Sequence, residues 1–175
     1  MLSKVRSELR LLPDTASLTE LEQLPYLSAV IAEGNRLSFG LTKRTCRIAP
    51  DEALQYNGYV IPPGTPMSMT SLCVHTDEGV FPEPWAFDPE RWLGPESATQ
   101  RKYQVAFGRG ARKCIGINLA HAELYLTIAA VARFDMTLFE TDERDVKFQH
   151  DYQVAHPRLD SKGVRAMVLG RATMP

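Results

Sequence analysis

Apolar residues recur at Leu2, Val5, Leu9 and Leu12, three or four apart, so residues 1–12 read as an amphipathic helix that Pro13-Asp14 ends. Ser17-Leu18-Thr19-Glu20 has the form of a capping box, in which hydroxyl and carboxylate satisfy each other's backbone N–H groups, and it opens a short helix ending near Leu24. Pro25 then suits the first position of a further helix over 25–37, because its φ is preset and its missing N–H is not needed there. Past Cys46 the pattern changes to strands. Runs at 53–56 and 59–61 flank the hairpin signal Asn57-Gly58, and Pro62-Pro63-Gly64 turns the chain into a strand at 65–69, for one small antiparallel sheet. Residues 71–75 form a short helix, and Pro82, Pro84, Pro89 and Pro95 then forbid regular structure. The polar stretch 94–103 reads as a loop. Leu119, Ala120, Leu124, Ile128, Ala129 and Val131 cover most of the circumference of a helix over 115–133, which is therefore expected to be buried. Strand-like runs at 136–140, 146–149 and 164–169 predict a small C-terminal β region, so the fold class is mainly α with small antiparallel β-sheets.

Composition narrows the function. With 175 residues, 44% hydrophobic and 23% charged, the chain is long enough for one domain with a sizeable core. A net charge of -1 argues against a nucleic-acid partner, although basic residues gather locally between Arg101 and Lys113. The three cysteines, Cys46, Cys73 and Cys114, are odd in number and unevenly spaced, so neither a disulfide framework nor a paired zinc site can be built, and a reducing compartment is expected. No apolar run approaches the length of a membrane span, so no anchor or signal peptide is expected in this chain.

The chemistry concentrates at Phe107-Gly108-Arg109-Gly110-Ala111-Arg112-Lys113-Cys114-Ile115-Gly116, just ahead of the long helix. Gly108, Gly110 and Gly116 let the backbone turn tightly and approach a flat ligand, while Arg109, Arg112 and Lys113 supply charge for its acidic groups. A helix start, with free N–H groups and the positive end of its dipole, favours Cys114 as a thiolate. Taken alone, one cysteine before an apolar helix is more often a small buried hydrophobe.

The fixed positions of F-x-x-G-x-R-x-C-x-G are all filled, and here the chain resembles the cytochrome P-450 family of haem-thiolate monooxygenases. The resemblance implies that Cys114 is the axial ligand of haem b iron, that Arg112 reaches a haem propionate, and that Phe107, Gly108, Gly110 and Gly116 line the cofactor. Glu33 and Arg36, three apart on the second long helix, match the family's E-x-x-R, and Phe87-Asp88-Pro89-Glu90-Arg91-Trp92 resembles its P-E-R-F element with Trp92 for phenylalanine. Arg91 would complete a structural cluster with Glu33 and Arg36. Arg47, with Arg44 as runner-up, fits the place of the arginine to the second propionate. His75 matches a structural position.

The family chemistry implied is insertion of one oxygen atom of O₂ into a small organic molecule, with electrons from NADPH through a flavoprotein reductase. Val105-Ala106-Phe107 and Asn118-Leu119-Ala120-His121-Ala122-Glu123-Leu124 resemble fungal members acting in secondary metabolism. By the same likeness the chain is the C-terminal part of the fold, with the N-terminal anchor and the distal helix expected to lie outside it. Full-length relatives are usually anchored in the endoplasmic reticulum with a cytosolic catalytic domain. The alternatives are a truncated, non-catalytic remnant or mis-called gene start, and a redox or zinc protein using Cys114, for which no partner ligand stands at suitable spacing.

Overall fold

The computed structural model describes residues 1–173. Helix α1 (Leu2–Leu9) buries Val5 and Leu9, the capping box of Ser17 and Glu20 opens α2 (Leu18–Glu22), and Pro25 begins α3 (Pro25–Ser38). Leu24 at the N-cap of α3 offers no side-chain acceptor. Glu8 of α1 takes over, its carboxylate accepting the N–H groups of Tyr26 at 2.8 Å and Leu27 at 2.9 Å. A negative charge at that helix end also complements the dipole.

Two successive left-handed residues, Phe39 (φ 58°) and Gly40 (φ 59°), turn the chain off α3. The Phe39 ring is buried against His75, Trp85 and Phe148, and the Ser71 hydroxyl donates to its carbonyl, which holds a conformation that costs a non-glycine residue about 1–2 kcal/mol. Gly40 is irreplaceable on space as well as φ. A Cβ there would lie 2.0 Å from the Ala106 carbonyl oxygen, in the strap that leads to Cys114. Gly40→Ala is expected to lower stability by about 1–3 kcal/mol in urea unfolding, and a change within about 0.5 kcal/mol would contradict this reading.

The β structure is split more finely than the sequence implied. Strands β1 (Thr45–Arg47) and β4 (Met67–Met69) pair with each other around the hairpin of β2 (Leu54–Tyr56) and β3 (Tyr59–Ile61), so 53–69 does not make one sheet. Asn57 (φ 46°) and Gly58 (φ 82°) form the expected turn. After α4 (Ser71–His75) the proline-rich segment ends in a 3-10 turn, Pro89–Trp92.

The expected loop at 94–103 contains a helix, α5 (Ser97–Lys102). Its anchors are polar: Gln100 is buried, and Arg101 lies over the Trp92 ring while donating to the Trp92 carbonyl at 3.2 Å. Basic residues in its last turn complement the dipole. Apolar periodicity has no means of seeing such a helix.

Helix α6 (Ile117–Ala132) was expected to be buried, yet only Tyr125, Ala129 and Ala132 are. Those three join Val5, Leu9, Leu21, Leu27 and Ile31 in the main core, because α1, α2 and α3 all gather on one side of α6. Leu119 remains 65% exposed and Val131 45%, so among the described residues the other side has no cover.

Beyond α6, β5 (Phe134–Leu138) pairs antiparallel with β8 (Ala166–Arg171), and β6 (His150–Asp151) with β7 (Ala155–His156). The strand expected at 146–149 is not formed. Buried Asp145 accepts from the Asp142 N–H, the Ser161 hydroxyl and Arg158, folding the preceding residues into a 3-10 turn, Glu143–Asp145.

Candidate functional site

The site rests on a buried carboxylate. Glu33, on the inner face of α3 and wholly buried, accepts five hydrogen bonds. Its Oε1 takes Arg36 Nη2 at 2.8 Å, the Asp88 N–H at 2.9 Å and Arg91 Nε at 3.1 Å. Its Oε2 takes Arg36 Nε at 2.8 Å and the indole N–H of Trp92 at 2.9 Å. Burial alone would raise the Glu33 carboxyl, but hydrogen bonds from Arg36, the Asp88 N–H and Trp92, with the Arg36 charge, hold it below the usual range.

The structure thus brings Glu33, Arg36 and Arg91 together as the sequence implied, and adds Trp92. The signal was present: tryptophan differs from the phenylalanine of the related motif by carrying a donor, and a buried indole N–H finds an acceptor. Arg36 spends its remaining donors on the carbonyls of His75, Pro84 and Ala86, at 2.9, 2.5 and 3.0 Å, and lies over the Phe81 ring. One guanidinium therefore gathers α4 and the proline-rich segment around α3.

The cysteine loop is reached through a strap pinned residue by residue. Gln104 Nε2 donates to the Ala32 carbonyl at 2.8 Å, the Val105 N–H donates to His75 Nε2 at 3.0 Å, and the Ala106 carbonyl abuts Gly40. Gly108 (φ 71°) and Gly110 (φ 75°) adopt left-handed turns, and a 3-10 turn, Gly110–Arg112, brings the chain back. The Cys114 N–H donates to the Phe107 carbonyl at 2.8 Å, which closes the loop.

Gly116 departs from the expectation, since its φ of -86° is open to any residue. Space does not demand it either: a Cβ would stand 3.9 Å from Cys114 Sγ, an ordinary van der Waals contact. The Phe107 ring meets the His121 ring edge-on at 5.3 Å, a contact the sequence did not announce because His121 belongs to no constellation. Arg47 and Arg112 are both exposed, Arg47 donating to the Cys46 carbonyl at 2.8 Å.

The residues fit a haem. Cys114 is a free, exposed thiol on a loop whose turns are glycine, beside a fully exposed Ile115 that offers apolar surface to a flat group. Among the described residues no three His, Cys, Asp or Glu side chains converge as a cage for a bare metal ion, whereas one sulfur suffices for an iron held by a macrocycle. Cys46 and Cys73 are also free and exposed, but neither stands on a glycine loop.

Comparison with known proteins agrees. The family model described as cytochrome P450 matches residues 1–160. The chain is 49% identical to the cytochrome P450 monooxygenase sdnE of Sordaria araneosa, over 97% of this chain and 35% of that protein. It is 46% identical to pbrB of Penicillium brasilianum, with the same coverage. In structure it is similar to the retinoic-acid-bound cyanobacterial CYP120A1, with a TM-score of 0.78 and 28% identity over 96% of this chain and 38% of that one. Fold and donor set together define a haem-thiolate protein. The chain belongs to the cytochrome P450 family, and it spans about a third of the length of the curated relatives it matches. Among the described residues no helix is long and apolar enough to cross a membrane.

Proposed function

We propose that residues 1–175 are the haem-ligating part of a cytochrome P450 monooxygenase that acts on a small organic molecule in fungal secondary metabolism. The observation that carries this reading is the open thiol of Cys114 on a closed glycine loop ahead of α6. Cys114 would bind the iron of haem b, Arg112 and Arg47 would meet its propionates, and Phe107, Gly108, Gly110 and Gly116 would shape the surface it lies on. Glu33, Arg36 and Arg91 are spent on one another and would hold the segment that supports this loop, a structural role and not a catalytic one. When bound, the haem supplies O₂ activation, with one oxygen atom passing to the substrate and the other leaving as water.

Electrons would come from an NADPH-dependent flavoprotein reductase. Lys102, Arg109 and Lys113 are exposed beside the loop and suit an acidic partner, while Arg101 is committed to Trp92. The whole protein would work at the endoplasmic-reticulum membrane, as its full-length relatives usually do. The reading is tested by the absorption spectrum of the reduced, haem-loaded chain with carbon monoxide. The red-shifted band of a thiolate-ligated complex is expected, and stoichiometric haem without that band overturns the assignment.

A further inference from the structure

We propose that His75 is a positioning residue for the cysteine loop, carrying the fixed geometry of the Glu33 and Arg36 pair across to Val105 by accepting its backbone N–H. Both ends of His75 are engaged. Its carbonyl receives Arg36 Nη1 at 2.9 Å, and its Nε2 receives the Val105 N–H at 3.0 Å. The ring is wholly buried, stacked on Phe39 at 6.3 Å and edge-on to Phe81 at 6.2 Å, so it cannot swing away.

The connection continues without a gap to the sulfur-bearing residue. The Val105 carbonyl accepts the Gly108 N–H at 2.8 Å, and the Phe107 carbonyl accepts the Cys114 N–H at 2.8 Å. A ligating side chain has to be held within about 0.5 Å of its working position by groups that are themselves fixed. Among the described residues His75 supplies the one side-chain hydrogen bond to the backbone of the strap between Gln104 and Phe107.

The function requires an uncharged ring. A protonated imidazole has two N–H donors and no acceptor, so it would confront the Val105 N–H instead of receiving it. Burial pushes His75 down to about 4; the nearby Arg36 charge also lowers it, while Glu33 and the backbone carbonyls of Arg36 and Tyr103 pull the other way without prevailing. The neutral ring places its proton on Nδ1, which is buried without a partner.

Amide hydrogen exchange on the full chain without haem, in wild type, His75→Gln and His75→Phe, tests the proposal directly. Glutamine keeps an acceptor near the Nε2 position, and phenylalanine keeps a ring between Phe39 and Phe81 but accepts nothing. The Val105 amide should exchange about tenfold faster in His75→Phe, and near the wild-type rate in His75→Gln, with α3 protected in both. Equal Val105 exchange in the two variants with α3 intact overturns the proposal. If His75→Phe does not fold, wild type decides: Val105 exchange as slow as the core of α3 supports the proposal, and exchange at the rate of exposed loop amides overturns it.

A second arm rests on the proposed ligation by Cys114. In haem-loaded protein the fraction of carbon monoxide complex lacking the thiolate band should rise severalfold in His75→Phe and not in His75→Gln. If the band is missing in all three proteins while exchange at Val105 behaves as stated, the reading of Cys114 falls and that of His75 stands.

Discussion

Replacing Cys114 by alanine is expected to abolish the thiolate-type carbon monoxide band completely, while Cys46→Ala and Cys73→Ala leave it at wild-type intensity. The three thiols are alike in being free and exposed, so exposure does not choose among them. The surrounding backbone does. Cys114 follows two left-handed glycines and is fixed by its N–H to the Phe107 carbonyl. Cys46 lies in β1, where Ser68 is its partner across the ladder, and Cys73 sits inside the short helix α4. Neither position lets a planar macrocycle approach along bare backbone. The measurement is a reduced-minus-oxidised difference spectrum with carbon monoxide at matched haem loading, and survival of the band in Cys114→Ala would remove the site.

Glu33→Ala is expected to destabilise the chain by ~3 to 5 kcal/mol, the range for removing one partner of a buried charge pair. The change strands two guanidinium groups, one backbone N–H and one indole N–H in a site from which water is excluded. Glu33→Gln should recover only part of the loss, since an amide has one acceptor oxygen where five donors converge. Acid should act in the same direction: the lowered carboxyl contributes stability that is present above the ordinary carboxylate range and is lost as pH falls through its folded-state value. Urea midpoints of wild type and the two variants, followed by circular dichroism, check this. A Glu33→Ala chain as stable as wild type would mean that Glu33 is not the hub of the cluster.

How far the sequence could be read followed the kind of force at work. Elements defined by local chemistry were legible: the Ser17 and Glu20 box, Pro25 at the head of α3, the Asn57-Gly58 turn, and Glu33 with Arg36 three residues apart on one face. The cysteine loop was legible because glycine, arginine and cysteine stand at fixed spacing. Elements defined by distant polar partners were not. Helix α5 depends on Gln100 and Arg101 docking at Trp92, and the turn at Glu143–Asp145 depends on Ser161 and Arg158. The exposed flank of α6 was missed for another reason: an apolar pattern tells which residues prefer burial, and leaves open whether a partner is there to bury them.

The capping of α3 by Glu8 bears on the order in which the molecule assembles. The bonds from Glu8 span 18 and 19 residues, whereas those that close Glu33 onto Arg91 and Trp92 span 58 and 59. Closing the longer loop costs about 1 kcal/mol more in chain entropy, so the α1 and α3 pair is the cheaper nucleus, and the charge cluster is expected to condense on a helix whose first turn is already satisfied. Kinetic data would show it as an asymmetry. Glu8→Ala should slow refolding, and Arg91→Ala should chiefly hasten unfolding.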